Sequence, residues 1–295
     1  MTDLQWLEER KKGLGGSDAG AILGLSKWKT PYQVWLDKTN RGPLTEDSSV
    51  MEWGRRLEPV IRQKYCDLTG RSVFVPGKDK ILAHPKIEWM LASLDGVVDS
   101  RRVFEAKTAR FADGWGEPGT DEIPDVYQIQ VQHYMAVTGF DVADVAVLIG
   151  GSDFRLYEVP KDNELIEMII EKEAIFWRMV KKNIQPDPQT LADLKLKFGT
   201  KSEAKKVQAT PQAKEAHERL CHIKALSKEE DACKAIIMEL LGEADTLIDG
   251  NETLVTWKAT NGSNRFDAKT FQADYPELYG QYLKKSEPTR RFLTK

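Results

Sequence analysis

The 295-residue chain carries 43 Lys+Arg against 46 Asp+Glu, a formal net charge of −3, with 41% apolar and 30% charged residues. Such proportions give a globular chain long enough for one large or two modest cores, and the slight acidity excludes a protein that coats DNA by charge alone. No apolar run approaches a membrane span, Met1-Thr2-Asp3-Leu4 lacks a basic-then-apolar leader pattern, and Cys66, Cys221 and Cys233 make no even disulfide framework, so a reducing cytosol is expected. Charge is uneven: residues 195–295 hold 18 Lys+Arg and 15 Asp+Glu, the remainder 25 and 31.

In chain order, Leu4–Lys12 reads as a short amphipathic helix ending at Gly13. Gly15-Gly16-Ser17-Asp18 is a turn opening a small-residue helix, Ala19–Leu23, with Ser17 or Asp18 as its natural N-cap. Free N–H groups at such a start suit an anion, although ordinary capping explains the same residues. Helices are expected over Pro31–Asp37 and Met51–Thr69, then strands at Ser72–Pro76, Lys80–His84, Glu88–Ala92, Val97–Asp99 and Arg102–Thr108. Asp125–Thr138 reads as a helix, Val142–Ile149 and Phe154–Pro160 as a strand pair, and Asn163–Lys182 as an amphipathic helix. That order predicts a mixed sheet with flanking helices. The turn-rich 183–188 closes this body, giving expected domains 1–190 and 191–295. The second holds a charged helical stretch, Ala204–Gly242, breaking near Leu226-Ser227, a hairpin around Asp249-Gly250, and an aromatic, basic tail ending in Arg290-Arg291-Phe292.

The chemistry concentrates in Leu91–Thr108, reading LASLDGVVDSRRVFEAKT. Glu105 and Lys107, two apart in a β-prone run, point to one face of a strand. Asp95, in a turn-prone Leu-Asp-Gly, joins them across the hairpin Asp95–Arg102. Two carboxylates and an amine around one point suit a hard divalent cation, with the lysine handling a proton or a phosphate. Spacing alone is weak, because acid-x-Lys recurs at Glu9/Lys11, Asp193/Lys195, Glu203/Lys205 and Asp267/Lys269. What separates Glu105/Lys107 is the apolar strand around it, where an unpartnered charge pair costs several kcal/mol. A solvated pair on an exposed edge strand is the alternative.

Glu58 precedes Pro59, which predicts a break or kink in the helix that turns its carboxylate inward; pairing with Arg55 or Arg62 is the competing reading. Gln130 and Tyr134, one helical turn apart, share a face that can hold a phosphate or a water. His217, Cys221, His222 and Cys233 lack zinc-site spacing, and Cys221 and Cys233 fit an apolar helix stripe instead. No P-loop, G-x-S-x-G or G-x-G-x-x-G occurs.

Together, Gly13-Leu14-Gly15-Gly16-Ser17-Asp18, Trp53-Gly54 with Glu58, Ser93-Leu94-Asp95-Gly96, Glu105-Ala106-Lys107 and Gln130-Val131-Gln132-His133-Tyr134 resemble, in order, the YqaJ-like, lambda-type phage exonucleases of the PD-(D/E)XK nuclease superfamily. The resemblance covers roughly residues 5 to 185, and the tail is similar to the extension common in YqaJ-like chains. It implies an α/β, restriction-endonuclease-like core, a mixed sheet flanked by helices, with a helical and β-hairpin C-terminal extension. It implies that Asp95 and Glu105 bind Mg²⁺ (Mn²⁺ suits the same oxygen ligands) and that Lys107 positions or deprotonates the attacking water. Glu58 would support metal or water, and Gln130 would brace the lysine or the phosphate. Arg10, Ser17 and Ser93 match a 5′-phosphate pocket, and Met51 matches an apolar wedge at the terminal base pair. The implied activity is 5′→3′ exonucleolysis of duplex DNA by in-line hydrolysis with two metal ions about 3.5–4 Å apart, leaving a 3′ single-stranded overhang. The implied setting is a ring-shaped trimer around DNA, partnered by a single-strand annealing protein, phage or prophage encoded, in the cytoplasm of a bacterial host. A structure-specific or single-strand nuclease, or a non-catalytic DNA-binding module, are the other readings. Leu94 departs from the superfamily's proline, which shapes the turn and carries no chemistry.

Overall fold

The computed structural model describes residues 3–43, 48–77, 81–199, 206–259, 266–285 and 292. The chain forms two compact units, Met1–Phe198 and Gly199–Lys295. The first opens with α1 (Asp3–Lys11), β1 (Leu14–Gly15), α2 (Gly16–Ile22), α3 (Pro31–Lys38) and α4 (Ser49–Thr69). Strands β2 (Val73–Phe74), β3 (Leu82–Ala83), β4 (Met90–Ala92), β5 (Gly96–Val98) and β6 (Arg102–Ala109) follow. Helix α5 (Asp125–Thr138) then crosses to β7 (Val142–Ile149), and β8 (Asp153–Pro160), α6 (Asn163–Lys181) and α7 (Leu191–Phe198) complete the unit.

The main sheet has the order β2-β5-β6-β7-β8. Only β6 and β7 are parallel in it, and α5 makes the crossover that such a pair requires. A smaller sheet, β1-β4-β3, lies apart from it in hydrogen bonding. The architecture is therefore mixed α/β, as the element order predicts.

Period-2 alternation distributes β6 and β7 between two cores. Val103, Val145 and Val147 belong to the core shared with α5 and α6. Phe104 and Ala146 belong to the core that takes Ile61 and Tyr65 from α4. Glu105 and Lys107 are in phase with Val103, so both project toward the α5 side.

Two glycines let α2 approach α5. A Cβ at Gly16 would lie 2.6 Å from Tyr134 Cε1 and 3.0 Å from the Gln130 carbonyl oxygen, and one at Gly20 would lie 2.6 Å from Val126 Cγ2. Larger side chains there would lever α2 away from the helix that carries Gln130 and Tyr134.

Four expectations are corrected. The N-cap of α2 is Gly15, and Asp18 sits at the third helical position, accepting from the Gly15 N–H at 3.1 Å; that N–H is therefore already engaged. Helix α4 runs unbroken through Pro59, held past it by Ile61 and Tyr65 packed on the sheet. In the second unit, α8 (Pro211–Leu241) is continuous across Leu226-Ser227, because no glycine or proline follows Pro211 to break it. Cys221 and Cys233 on this helix are exposed rather than set in an apolar stripe.

The hairpin of the second unit pairs β9 (Thr246–Asp249) with β10 (Glu252–Thr256), followed by α9 (Ala268–Asp274) and α10 (Pro276–Tyr282). Arg290 and Arg291 lie outside the described residues. At its other end, the first unit extends past the turn-rich segment 183–188 because Asp193 of α7 is buried and accepts from Thr30 Oγ1 at 2.9 Å. No helix among the described residues is long and apolar enough to cross a membrane.

Candidate active site

The C-terminal half of β6 opens into a cleft of about 530 Å³. All ten residues singled out in the sequence line it: Arg10, Ser17, Met51, Glu58, Ser93, Asp95, Glu105, Lys107, Gln130 and Tyr134. They arrive from α1, α2, α4, the β4–β5 turn, β6 and α5, so only the fold brings them together.

Glu105 is the buried centre, 2% exposed. Lys107 Nζ lies 2.6 Å from Glu105 Oε1 and donates to Gln130 Oε1 at 3.1 Å. The Gln130 amide donates to Glu105 Oε1 at 2.7 Å and to the Tyr134 hydroxyl at 3.0 Å. Gln130 thus uses both ends of its amide to fix the acid and the amine. Lys107 Nζ also stands 4.6 Å from the centre of the Tyr127 ring. Asp95 Oδ2 accepts from the Ala106 N–H at 3.0 Å, which ties the β4–β5 turn to β6 between the two charged residues.

Burial, and then the neighbouring Asp95 carboxylate, push the Glu105 carboxyl up to about 8. Burial likewise lifts Asp95 above its ordinary value, against the pull of Lys107 and the Ala106 N–H. For Lys107 burial acts downward, but Glu105 and Asp95 outweigh it and hold the ammonium charged. The second oxygen of Glu105 is buried with no hydrogen-bond partner. Two carboxylates resisting ionisation beside an unsatisfied carboxylate oxygen make a donor set that suits a divalent cation. No three His, Cys, Asp or Glu among the described residues gather as a preformed metal cage. Mg²⁺ does not require one, since it keeps several waters and takes one or two carboxylates.

Glu58 points into the same cleft from the unbroken α4 and pairs with Arg62 at 3.3 Å, so the inward and ion-paired readings both hold. Arg10 donates to Ser17 Oγ and lies 5.1 Å over the Trp6 ring. Below it Asp18 forms a buried pair with Lys38 at 2.7 Å. Burial acts to raise the Asp18 carboxyl, but Lys38, Arg10 and Lys29 overcome it and hold it well below the ordinary range.

Two features escaped the sequence. Tyr127 lies one turn before Gln130 on the same helix face, and extending that face backward would have found it. The pair His133–Glu173 had no such signal. His133 Nδ1 meets Glu173 Oε1 at 2.8 Å and Nε2 meets the Leu91 carbonyl at 2.8 Å, with both side chains fully buried. It joins α5, α6 and β4 directly behind the cleft.

The YqaJ-like viral recombinase domain matches residues 5–141, the span that contains all ten cleft residues. The uncharacterized protein YqaJ of Bacillus subtilis (strain 168) is 36% identical over 305 residues, covering 99% of this chain and 94% of that protein. The chain belongs to the YqaJ family. Among solved structures, an alkaline exonuclease (LHK-Exo) from Laribacter hongkongensis matches with a TM-score of 0.48 at 21% identity, over 61% of this chain and 93% of that one. LHK-Exo in complex with dAMP matches with a TM-score of 0.49 at 22% identity, over 66% and 97%.

In this chain the raised Glu105 carboxyl sets a stability profile. The folded state holds the proton to about 8 and the unfolded chain releases it near 4.5, so this contribution is complete below 4.5, drains as pH rises and levels off above 8. In metal-free protein, Glu105→Gln removes the ionisation. The Tm advantage of that variant over wild type is expected to widen from about 4.5 to about 8 and then stop; an advantage independent of pH would contradict the shift.

Proposed function

We propose that the chain is a divalent-metal-dependent exonuclease that degrades one strand of linear duplex DNA from its 5′ end and leaves a 3′ single-stranded overhang. The observation that carries this reading is the convergence of Asp95, Glu105 and Lys107 in one cleft, with a buried Glu105 oxygen left unsatisfied. Asp95 and Glu105 would hold Mg²⁺ or Mn²⁺, with Glu58 in support, and the ion would supply charge neutralisation and polarisation at the phosphoryl group. Lys107, held charged, orients the attacking water and a phosphate oxygen. Gln130 keeps Lys107 and Glu105 in register, and Tyr134 steadies Gln130.

Arg10, Ser17 and Ser93 form the 5′-phosphate pocket in this reading, and Met51 is the apolar wedge at the terminal pair. A ring-shaped trimer would keep a chain of net charge −3 on DNA by topology rather than by a wide phosphate footprint. A single-strand annealing protein would take the overhang.

The test is digestion of linear duplex labelled at the 5′ or the 3′ end, with and without a 5′-phosphate. Early release of the 5′ label, faster with the phosphate, is expected. Internal cuts or equal loss from both ends would replace this reading with a structure-specific nuclease. Arg10→Ala is expected to abolish the advantage of the 5′-phosphorylated end, at a cost of about 10- to 150-fold in kcat/KM for one lost charge-assisted contact of roughly 1.5–3 kcal/mol. An undiminished preference for the phosphorylated end would remove Arg10 from the pocket.

A further inference from the structure

Four aromatic rings form a ladder from the core to the surface beside the cleft. Tyr157 and Trp115 are 5.4 Å apart, Trp115 and Tyr127 5.6 Å, and Tyr127 and Trp28 6.3 Å with their planes 26° apart. The inner two rings are buried, whereas Trp28 is 69% exposed. A lone exposed tryptophan needs no explanation. This one is the outer end of a stack whose Tyr127 lines the cleft and carries the Lys107 ammonium over its ring.

Trp28 is also held in place. Ser26 Oγ accepts from the Trp28 and Lys29 N–H groups at 3.2 and 3.3 Å, and the Leu25 and Ser26 N–H groups donate to the Gly20 carbonyl at 2.9 and 3.2 Å. Lys29 pairs with Asp37 on α3, while Lys27, the residue before Trp28 in the chain, is exposed. A fixed ring with an open face, one ring away from the Lys107 ammonium and flanked in sequence by Lys27 and Lys29, matches the way proteins hold single strands without reading sequence. Bases stack on aromatic side chains while basic residues follow the backbone.

We propose that the open face of Trp28 is a stacking platform for a base of the strand held in the cleft, with Tyr127 setting its distance from Lys107. This rests on the nucleic-acid reading of the site and adds a positioning residue to it. Because any base presents a flat face, the platform would set register without sequence preference.

The test measures binding of the full chain to a short 5′-phosphorylated duplex, with Ca²⁺ replacing Mg²⁺ to prevent cleavage, and with a single abasic site moved along each strand. Trp28→Ala is expected to weaken binding about 5- to 150-fold, the loss for one stacked base, and Trp28→Phe to retain most of the affinity. In wild type one abasic position should cause the same loss, and combining it with Trp28→Ala should add nothing. With Mg²⁺, Trp28→Ala should raise KM more than it lowers kcat. Unchanged affinity, losses that add at every abasic position, or an altered oligomeric state with DNA binding intact would each overturn the platform. Trp28-dependent binding without hydrolysis by wild type would sink the nuclease reading alone. Hydrolysis with Trp28-independent binding would sink the platform alone.

Discussion

Lys107→Ala is expected to slow DNA hydrolysis roughly 10²- to 10⁴-fold, the range for losing a positioned acid–base or charge-stabilising group, while leaving the protein folded. The two outcomes separate because the surroundings of Lys107 adapt. Removing the ammonium deprives Glu105 and Asp95 of their cation, but Glu105 is already pushed up to about 8 and takes up a proton instead of remaining a buried charge. Gln130 keeps its bonds to Glu105 and Tyr134. Single-turnover hydrolysis of an end-labelled duplex, beside a thermal melt, checks both parts. A variant within about threefold of wild type would remove Lys107 from the chemistry. A variant that fails to fold would make the residue chiefly structural.

Glu173→Ala is expected to destabilise the first unit by about 3–5 kcal/mol, the usual cost of removing one member of a buried pair. His133 and Glu173 are both fully buried, and His133 spends its other nitrogen on the Leu91 carbonyl. Burial acts to lower the His133 pKa, but Glu173 outweighs it and raises it; burial raises the Glu173 carboxyl despite His133. Both directions mean that the folded pair retains its proton. Without Glu173 the His133 Nδ1 loses its partner while Nε2 keeps the Leu91 carbonyl, and the join between α5, α6 and β4 loosens where Gln130 and the β4–β5 turn enter the cleft. At roughly 2–4 °C per kcal/mol for a unit of this size, Tm should fall by about 6–20 °C. A fall below about 2 °C would mean that the pair contributes little. Glu173→Gln, which retains a hydrogen-bond acceptor for His133, should recover much of the loss.

The sequence made the strand pattern readable because it follows period 2, and β6 carried its charged pair in phase with Val103 as that period requires. Gln130 and Tyr134 were readable for the matching reason on a helix, a shared face at i, i+4. The local geometry of α2 is not legible in composition: Ser17 and Asp18 are both good caps, and Gly15 takes the position because the chain enters α2 directly from β1. Pro59 was expected to disrupt α4, a propensity overridden by packing that is encoded in β5 and β6 rather than in the helix itself. Glu58 nevertheless reached the cleft, from the face it occupies on a helix that does not break. The pairs Asp18–Lys38 and His133–Glu173 join residues 20 and 40 apart on different helices, and no periodic signal connects them. The aromatic ladder was invisible for a similar reason, since Trp28, Trp115, Tyr127 and Tyr157 come from separate loops, helix α5 and a strand.

The most direct measurement is calorimetric titration of the metal-free protein with Mg²⁺, and then Mn²⁺, at neutral pH in buffers of differing ionisation heat. The Glu105 carboxyl, pushed up to about 8, must give up its proton to accept a cation. Binding should therefore release close to one proton and disappear in both Asp95→Asn and Glu105→Gln. Binding of equal strength in those variants, or no binding by folded wild-type protein with or without duplex DNA, would contradict a metal-dependent centre at Asp95 and Glu105.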